Sequence, residues 1–333
     1  MWFTGRANPD ETEPVSDLHV VFGAGQVGQP LATRLRELGH RVRIARRSTG
    51  AVPDGIDVVR GDALDPGFCR DASRGAAVVY HCMNPAYSTK VWAEQVPRYM
   101  DNLIAAAASA GAKLVVLDNV YALGRPGGRR LSEDTPMAPA SRKGAIRQHV
   151  AERLFDAQAR GDVVATIARA SDFYGPRGTN SILGDFFWPR VLAGRTAYSP
   201  VPLDAVHTYH YIPDVAAGLA AIGTADSSAY GGWWMLPCAP AGTLRQLAGR
   251  VESKFGRPVR IAEIPAVVMK AMGLVAPIMR ELNEMRYQWD EPFVTDDTRF
   301  RERFDVRPAN PDTAAVETVT WALAHYGTGR PRP

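Results

Sequence analysis

Three glycines in the stretch GAGQVG have the spacing of a loop that binds a pyrophosphate. Gly23, Gly25 and Gly28 lie between an apolar run, LHVVF, and a segment with helical periodicity. In such a loop the first glycine allows a tight turn, the second lets a pyrophosphate approach the backbone, and the third permits close packing of the helix. Because a helix N-terminus also attracts phosphate, the stretch predicts a dinucleotide-binding site rather than a merely glycine-rich turn.

Two arginines end the second apolar run, RVRIARR. A chain that binds NAD carries an acid on the ribose hydroxyls about 20 residues beyond the glycines, whereas this chain has Arg46 and Arg47 there. Their guanidiniums can pair with a 2′-phosphate, which predicts NADP(H) in preference to NAD. The alternative is a solvated basic strand end. Asp62, in RGDALD, is placed either to receive the adenine amine or to cap the next helix.

The stretch LDNVYALG follows the apolar run KLVV and contains Asn119 and Tyr121. An asparagine amide can hydrogen-bond a substrate oxygen but has no proton to exchange, so Asn119 is predicted to orient or polarise that oxygen. Tyr121 and Lys143 are the nearest groups that could act as the acid. The alternatives are a packed loop tyrosine and a surface lysine.

Two histidines in HTYHY have a spacing that could suggest a metal site. On a strand, however, His207 and His210 would point to opposite faces, because they are three residues apart. No carboxylate or cysteine adjoins them in the sequence, so we expect no metal there.

Short β-branched runs alternate with longer amphipathic stretches from residue 18 onward. Continuous apolar runs bounded by turns suit strands buried on both faces, and the interposed helices make the sheet parallel. This pattern predicts an α/β fold with a doubly wound parallel sheet of the Rossmann type. The first helix carries Val27, Leu31, Leu35 and Leu38 at helical spacing and is expected to stop at Gly39.

The alternation weakens after the stretch ASDFYGPRGTN, which indicates a change to a second lobe. We predict a flexible leader over residues 1–17, a dinucleotide-binding domain over 18–175, and a smaller substrate lobe over 176–333. Within that lobe, residues 207–236 return to the first pattern, so the two parts interleave.

Composition limits the classes of function. The chain has 333 residues, a formal net charge of +4 and 46% hydrophobic residues, which is ordinary for a globular protein. Its basic residues are spread out, so nucleic-acid binding is not expected. The longest apolar stretch falls short of the roughly 20 residues that a membrane span needs. The first residues lack the pattern of a secretory signal, and three scattered cysteines suit a reducing cytoplasm.

Six motifs occur in an order that resembles the extended short-chain dehydrogenases/reductases, the NAD(P)-dependent epimerase/dehydratase family. They are the glycine motif, RGDALD, VVYHCMNP, VVLDNVYALG, RASDFYGP and YIPDVAAGLA, and they span about Leu18 to Leu236. The resemblance implies the same fold, a nicotinamide cofactor, and a homodimer paired through helices at about Trp92 to Gly111 and Gly144 to Arg160.

The family's catalytic groups are a Ser or Thr after the fifth strand and a Tyr-x-x-x-Lys on the following helix. This chain departs from both, since Asn119 stands at the serine position and no tyrosine is followed four residues later by lysine. Aligning HVAERL with the family's helix puts Gly144 and Gln148 at the pair. A slip of one residue around PASRKGAIRQ is possible but still supplies no tyrosine. The resemblance is therefore to an atypical member.

The resemblance further implies that ASDFYGPRG lies along the nicotinamide and that the C-terminal segment with Tyr287 and Trp289 covers the substrate. The residues predicted to contact the cofactor are Gly23, Gly25, Gln26, Val27, Gly28, Arg46, Arg47, Asp62, Ala63, Met83 and Ser171. We predict an oxidoreductase or epimerase-like enzyme acting on a small carbonyl or hydroxyl substrate. The alternative is an inactive NADP(H)-binding regulator or redox sensor.

Overall fold

The computed structural model describes residues 17–327. The predicted leader lies outside these residues except for Asp17. The central sheet has seven strands in the order β10-β6-β5-β4-β1-β2-β3. They are β1 (Leu18–Phe22), β2 (Arg41–Arg46), β3 (Asp57–Arg60), β4 (Val78–His81), β5 (Lys113–Asn119), β6 (Val164–Ala170) and β10 (Trp233–Met235). Every neighbouring pair in this sheet is parallel.

Helices cover both faces of the central sheet, and further helices pack in the second lobe. The helices of the described residues are α1 (Gly28–Glu37), α2 (Pro66–Ser73), α3 (Thr89–Ala110), α4 (Arg142–Ala159), α5 (Trp188–Leu192), α6 (Ile212–Thr224), α7 (Leu244–Phe255), α8 (Ala266–Val275), α9 (Pro277–Glu284), α10 (Thr298–Phe304) and α11 (Pro311–Tyr326). One buried cluster joins α2, α3 and α4 to one face, and a second joins α1 and α6 to the other. Because both faces are covered, the inner strands are apolar without alternation, as predicted.

The first helix ends earlier than its apolar pattern suggests. Leu31 and Leu35 are buried on α1, but Leu38 is 45% exposed. It caps the helix with φ −79° and ψ 2°, and Gly39 follows with φ +89°. Leu38 shares the helical spacing of Leu31 and Leu35 but lies at the C-cap, where the chain leaves helical geometry just before the expected stop at Gly39.

The second lobe contains four short strands in two small sheets. Strand β11 (Ile261–Glu263) pairs with β8 (Ala197–Ser199), and β7 (Asp172–Tyr174) pairs with β9 (Tyr209–Tyr211). The chain then returns to the main sheet, because β10 pairs with β6. The two parts of the chain therefore share one sheet. No helix within residues 17–327 is long and apolar enough to cross a membrane.

Candidate active site

The glycine loop has the geometry of a close backbone approach. Gly23 has φ +101°, a conformation that L side chains rarely adopt, and a Cβ there would lie 2.8 Å from the carbonyl oxygen of Cys82. A Cβ on Gly28 would lie 1.8 Å from the carbonyl oxygen of Gly23, so helix and turn are in contact. A Cβ on Gly25 would meet nothing within 4 Å. The loop is thus packed at both ends and open in the middle, which fits a pyrophosphate.

The other residues predicted to contact the cofactor follow successive parallel strands, so they lie at one edge of the sheet. Arg46 ends β2, Asp62 follows β3, Met83 follows β4 and Ser171 follows β6. Two more lie at the same edge: Val27 precedes α1, and the buried Ala63 accepts hydrogen bonds from Asn102 and Cys69. In the glycine loop, the buried amide oxygen of Gln26 has no partner among residues 17–327.

Arg46 and Arg47 both carry local contacts. Arg46 Nη2 donates to Ser48 Oγ at 2.8 Å, and Arg47 Nη1 lies 3.8 Å from Asp62 Oδ2. Asp62 Oδ1 accepts from the amide of Leu64 at 3.0 Å. Burial and the charge of Arg46 both lower the pKa of Arg177. Sequence reasoning did not single out Arg177, which lines a pocket beside α1 together with Gln29 and Thr33.

Asn119 is the last residue of β5. Its Oδ1 accepts a hydrogen bond from the amide of Tyr121 at 3.0 Å. Since a backbone amide can only donate, this bond fixes which side-chain atom is the oxygen. The NH₂ group of Asn119 is then the end that can donate to a substrate oxygen.

Tyr121 begins a short 3-10 helix, Tyr121–Leu123, directly after β5. Its ring stacks on Trp92 with centroids 6.2 Å apart, and its hydroxyl lies 3.4 Å from that of Tyr87. Burial raises the pKa of Tyr121 well above its ordinary value, and the charges of Tyr87 and Asp172 raise it further. The phenol is therefore held protonated.

Lys143 is fully buried, in contrast to the surface position that we considered for it. Its Nζ contacts Glu281 Oε2, lies 3.2 Å from Glu284 Oε2, and stands 4.7 Å from the ring centroid of Tyr87. Burial alone would raise the pKa of Glu281 and of Glu284. Hydrogen bonds from Lys143 and Thr89 outweigh this effect, so the pKa of each carboxyl is lowered. The lysine thus belongs to a cluster of compensated charges beside the site.

The helix α4 presents Lys143 and Arg147 toward the core, one turn apart. A Cβ on Gly144 would lie 2.5 Å from the carbonyl oxygen of Tyr121, so this position has no room for a tyrosine. Gln148 bonds Glu152 at 2.8 Å on the outer side. Gly144 therefore has no room for a larger side chain in this packing, and Lys143 and Arg147, one residue earlier in each case, are buried side chains of α4.

Arg147 is also compensated. Its Nη2 donates to Asn84 Oδ1 at 2.7 Å, its Nη1 lies 3.4 Å from Asp118 Oδ1, and its guanidinium stacks over Trp92 at 4.5 Å. A second buried arginine, Arg169, lies 3.8 Å from the other oxygen of Asp118. Burial lowers the pKa of Arg169 while Asp118 raises it. The carboxylate of Asp118, on β5, thus lies between the guanidiniums of Arg147 and Arg169.

Asp172 meets His207 at the end of β6. Asp172 Oδ2 lies 2.9 Å from His207 Nε2, and Ser171 Oγ lies 3.0 Å from the same nitrogen. The imidazole is fully buried and stacks between Trp289 and Phe293, with centroids 5.3 Å and 5.2 Å away. The His207 ring is therefore held by stacking against Trp289 and Phe293 and by polar contacts at Nε2.

His210 approaches the same serine. Its Nδ1 accepts from the amide of Ser171 at 3.0 Å, and its Nε2 lies 3.1 Å from the carbonyl oxygen of Leu236. Burial lowers the pKa of His210 to about 4. The expectation that His207 and His210 face apart is wrong, because His207 precedes the short strand β9 and both rings reach Ser171. A carboxylate also joins them, although residues 17–327 contain no group of three candidate metal ligands.

Four tyrosines surround Asp172. Its charge raises the pKa of each, after burial as the larger cause: Tyr87, Tyr121, Tyr209 and Tyr287. The Tyr209 hydroxyl and Trp289 Nε1 face each other without reaching hydrogen-bond geometry. We refer to Asp172 and these four tyrosines, which come from β7, β9 and the segments after β4, β5 and α9, as the chamber.

Sequence reasoning missed Tyr87, Arg147 and the role of the two glutamates on α9. A sequence signal existed for Arg147, since it falls at helical spacing with Lys143 and the buried Val150 and Leu154. No sequence signal connected α9 to Lys143, because the contact joins residues more than a hundred positions apart.

The profile of the NAD dependent epimerase/dehydratase family matches residues 19–232 of the chain. The resemblance inferred from the ordered motifs is thereby confirmed. A search of curated protein sequences gives no significant match.

Solved structures with the same fold include several epimerases. The UDP-glucose 4-epimerase of Thermus thermophilus, complexed with NAD, is 22% identical, with a TM-score of 0.71 over 92% of this chain and 99% of that one. The UDP-N-acetylglucosamine 4-epimerase of Bacillus cereus is 14% identical, with a TM-score of 0.75 over 95% and 99%. The UDP-glucuronic acid 4-epimerase of Bacillus cereus, complexed with NAD, is 14% identical, with a TM-score of 0.74 over 93% and 99%.

The predicted fold class is confirmed by the parallel sheet and by these structures. The family match covers the glycine loop, the end of β5 and the segment after β6, and it supports a nicotinamide cofactor and an enzyme rather than a regulator. The chain belongs to the NAD dependent epimerase/dehydratase family and is an NAD(P)-dependent enzyme of the short-chain dehydrogenase type.

Proposed function

We propose that this enzyme is an NADP(H)-dependent oxidoreductase, or an epimerase-like enzyme, that acts on a small neutral carbonyl or secondary alcohol. The observation that carries the proposal is the common edge of the sheet. The open glycine loop after β1 and the polar groups at the ends of β5 and β6 lie there together. In doubly wound sheets this edge is where ligands bind.

The cofactor would be held by the glycine loop, with Ser171 near its reactive end. When bound, a nicotinamide cofactor supplies a hydride acceptor or donor. The chain's own residues then orient the substrate and hold or move its proton. The fit is supported by the space above Gly25 and by the unpartnered amide oxygen of Gln26.

The preference for NADP(H) rests on the charges at the end of β2. Arg46 and Arg47 stand there, and Arg177 approaches Arg46. A phosphate on the ribose would be met by up to three guanidiniums, which pair well with phosphate oxygens. The structures complexed with NAD belong to other chains of this fold, so the preference is argued from these side chains alone.

Asn119 is proposed to donate its NH₂ group to the substrate oxygen, and Tyr121 to donate its protonated hydroxyl. Lys143 is proposed to act indirectly, by holding Tyr87 against Tyr121 through its ring. A neutral substrate is favoured because Lys143 and Arg147 are both paired with carboxylates of the chain. Neither cation is then available to a charged group on the substrate.

The test is hydride transfer measured by NADPH absorbance with a panel of ketones, secondary alcohols and UDP-sugars. We expect Asn119→Ala to lower turnover by about 10²-fold, as loss of one oriented donor does, with little change in NADPH affinity. Asn310→Ala removes the helix cap of α11 and controls for general effects of losing an asparagine. Unchanged turnover in Asn119→Ala would contradict the proposed role.

A homodimer is also proposed, paired through α3 and α4. These helices pack side by side, and Arg153 on α4 bonds Asp101 on α3 at 2.7 Å. A groove of about 470 Å³ between them is lined by alanines, among them Ala105 and Ala108, and by charged residues of both signs. Small side chains allow two helices of a second copy to approach closely.

A further inference from the structure

We propose that the carboxylate of Asp172 exchanges the proton with the substrate oxygen, and that His207 is the positioning residue that holds this carboxylate. The inference rests on the proposed oxidoreductase function and adds the proton acceptor that the missing tyrosine leaves unassigned. Asp172 is the first residue of β7, two residues after the end of β6, whose last residue Ala170 pairs with Asn119.

The carboxylate contacts the histidine with one oxygen and is open at the other. Oδ2 is buried and lies 2.9 Å from His207 Nε2, in ion-pair contact but outside hydrogen-bond geometry. The Asp172 side chain is nevertheless 28% exposed. The exposed part therefore includes Oδ1, which is the oxygen that a substrate hydroxyl can reach.

The surroundings of His207 select one protonation state. Its Nδ1 is buried without a partner in the described part of the chain. A proton on Nδ1 would be a buried donor without an acceptor, which costs more than leaving a lone pair unmatched. The proton of the neutral ring therefore belongs on Nε2, where Ser171 Oγ is in hydrogen-bond geometry at 3.0 Å and Asp172 Oδ2 lies 2.9 Å away.

The other polar groups of the site are less suited to accept a proton. The Asn119 amide has no proton to exchange with the substrate. Lys143 and Arg147 are each paired with carboxylates. Tyr121 is held protonated by burial, so it can donate a hydrogen bond but not readily accept a proton. Asp172 remains as the base that faces the chamber.

Proton transfer to Asp172 accompanies the loss of a hydride from the substrate alcohol. In the oxidation direction the hydroxyl proton of a secondary alcohol passes to Asp172 Oδ1, while the hydrogen on the same carbon leaves with its electron pair as a hydride. The O–H and C–H bonds break and the C=O double bond forms. The alcohol is oxidised and the nicotinamide is reduced. The proton then leaves Asp172 to solvent through its exposed side.

The rates of oxidation and reduction should depend on pH in opposite directions. Oxidation needs Asp172 ionised, so its rate should fall toward acidic pH. Reduction needs it protonated, so its rate should fall as the pH rises. The titratable groups that face Asp172 are His207, His210 and the tyrosines Tyr87, Tyr121, Tyr209 and Tyr287.

The first test is kinetic. We expect Asp172→Asn to lower the oxidation rate by on the order of 10²- to 10⁴-fold and to remove the acidic limb of its pH profile, with NADPH affinity unchanged. Tyr121→Phe should keep that limb. If Asp172→Asn keeps the limb and Tyr121→Phe loses it, the proposal is overturned while the proposed function stands. If the unmodified enzyme transfers no hydride to any member of the panel, both fail.

The second test needs no turnover. In ¹⁵N spectra of the unmodified protein at pH 7, the His207 ring should show a protonated Nε2 and an unprotonated Nδ1, assigned by comparison with His207→Gln. Asp172→Asn should shift the Nε2 signal. A doubly protonated ring, or a proton on Nδ1, would overturn the arrangement.

The positioning role has its own readout. His207→Ala should lower kcat with little change in KM and should move the acidic limb. His207→Gln, whose amide NH₂ can replace the Nε2 proton, should restore much of both. If His207→Ala and His207→Gln lower kcat equally and leave the acidic limb of the pH profile unmoved, His207 has only a packing role.

Discussion

The fully buried Lys143 on α4 forms an ion pair with the partly exposed Glu284 on α9, with Nζ 3.2 Å from Oε2. Together with Glu281 this pair joins the second lobe to the dinucleotide-binding part beside the chamber. Removing one side of a buried ion pair is costly because the other charge stays uncompensated, whereas removing both sides is often nearly neutral.

We therefore predict that the double variant Glu281→Gln, Glu284→Gln loses about 3–5 kcal/mol of unfolding free energy. Adding Lys143→Met to it should recover most of the loss. Urea unfolding measures both. Asp204→Asn breaks the exposed pair with Arg245 and should have little effect. A triple variant no more stable than the double one would contradict the assignment of a buried, compensated lysine.

Substitution of two glycines of the loop should affect different properties, cofactor binding for Gly25 and stability for Gly28. Gly25→Ala has space for its Cβ in the protein, so the fold should survive while the pyrophosphate loses its close approach. Gly28→Ala would press a Cβ against the carbonyl oxygen of Gly23 and should lower the melting temperature. NADPH binding and thermal unfolding, measured on both, separate the effects. Normal NADPH affinity in Gly25→Ala would show that the cofactor does not cross this glycine.

The preference for NADP(H) should depend on the basic residues after β2. NADPH is expected to bind more tightly than NADH, and Arg46→Ala with Arg47→Ala should remove most of the difference without weakening NADH. Arg177→Ala should remove a further part. Titrations followed by nicotinamide fluorescence give the affinities. Arg195→Ala changes an exposed arginine elsewhere as a control, and equal affinities in the unmodified protein would contradict the proposal.

Acid stability should depend on His210. Its pKa is lowered by burial to about 4, whereas an unfolded histidine has a pKa near 6.5. Below pH 6.5 the unfolded chain therefore binds this proton first, and folding stability is lost between pH 6.5 and about 4. Asp214, whose pKa burial raises to about 6, acts in the opposite direction, because the folded chain takes up that proton first.

A comparison of variants isolates the contribution of His210 to the loss of stability at acidic pH. His210→Gln can keep the bonds to Ser171 and Leu236 but cannot titrate, so it should remove about 3 kcal/mol of the loss between pH 7 and pH 4. His149→Gln changes an exposed histidine on α4 and is the control. Urea unfolding at both pH values measures the slopes, and parallel slopes for His210→Gln and the unmodified protein would refute the prediction.

The dimer should depend on the outer faces of α3 and α4. Ala105→Glu puts a charge into the groove between these helices and should produce monomers at micromolar concentration, as measured by light scattering after gel filtration. Ala193→Glu, at the end of α5, should not. A monomeric unmodified protein would count against the proposed pairing.

The central sheet could be predicted from the sequence because its signals are local. Each strand is a short apolar run, and the glycine loop is one contiguous motif. The same local reasoning did not reveal the exposure of Leu38, which has helical spacing with Leu31 and Leu35 but lies at the C-cap of α1. Spacing describes where side chains would point in a helix but not where the helix stops.

The chamber could be predicted only in part, because its contacts are not local. Asn119 and Tyr121 follow a recognisable strand, so their place at the sheet edge could be inferred. The contact between Asp172 and His207 could not, since it depends on how the irregular chain after β7 returns. The burial of Lys143 likewise depends on α9, whose position no pattern near the lysine reveals.

The late return of β10 has a consequence for synthesis on the ribosome. Strand β6 pairs with β5 on one side and with β10 on the other, and β10 is separated from it by more than sixty residues. Until residues 233–235 have emerged, β6 is an open sheet edge that could pair with another chain. The nascent protein therefore exposes this edge while the intervening lobe is translated, and chaperone dependence should be greatest in that interval.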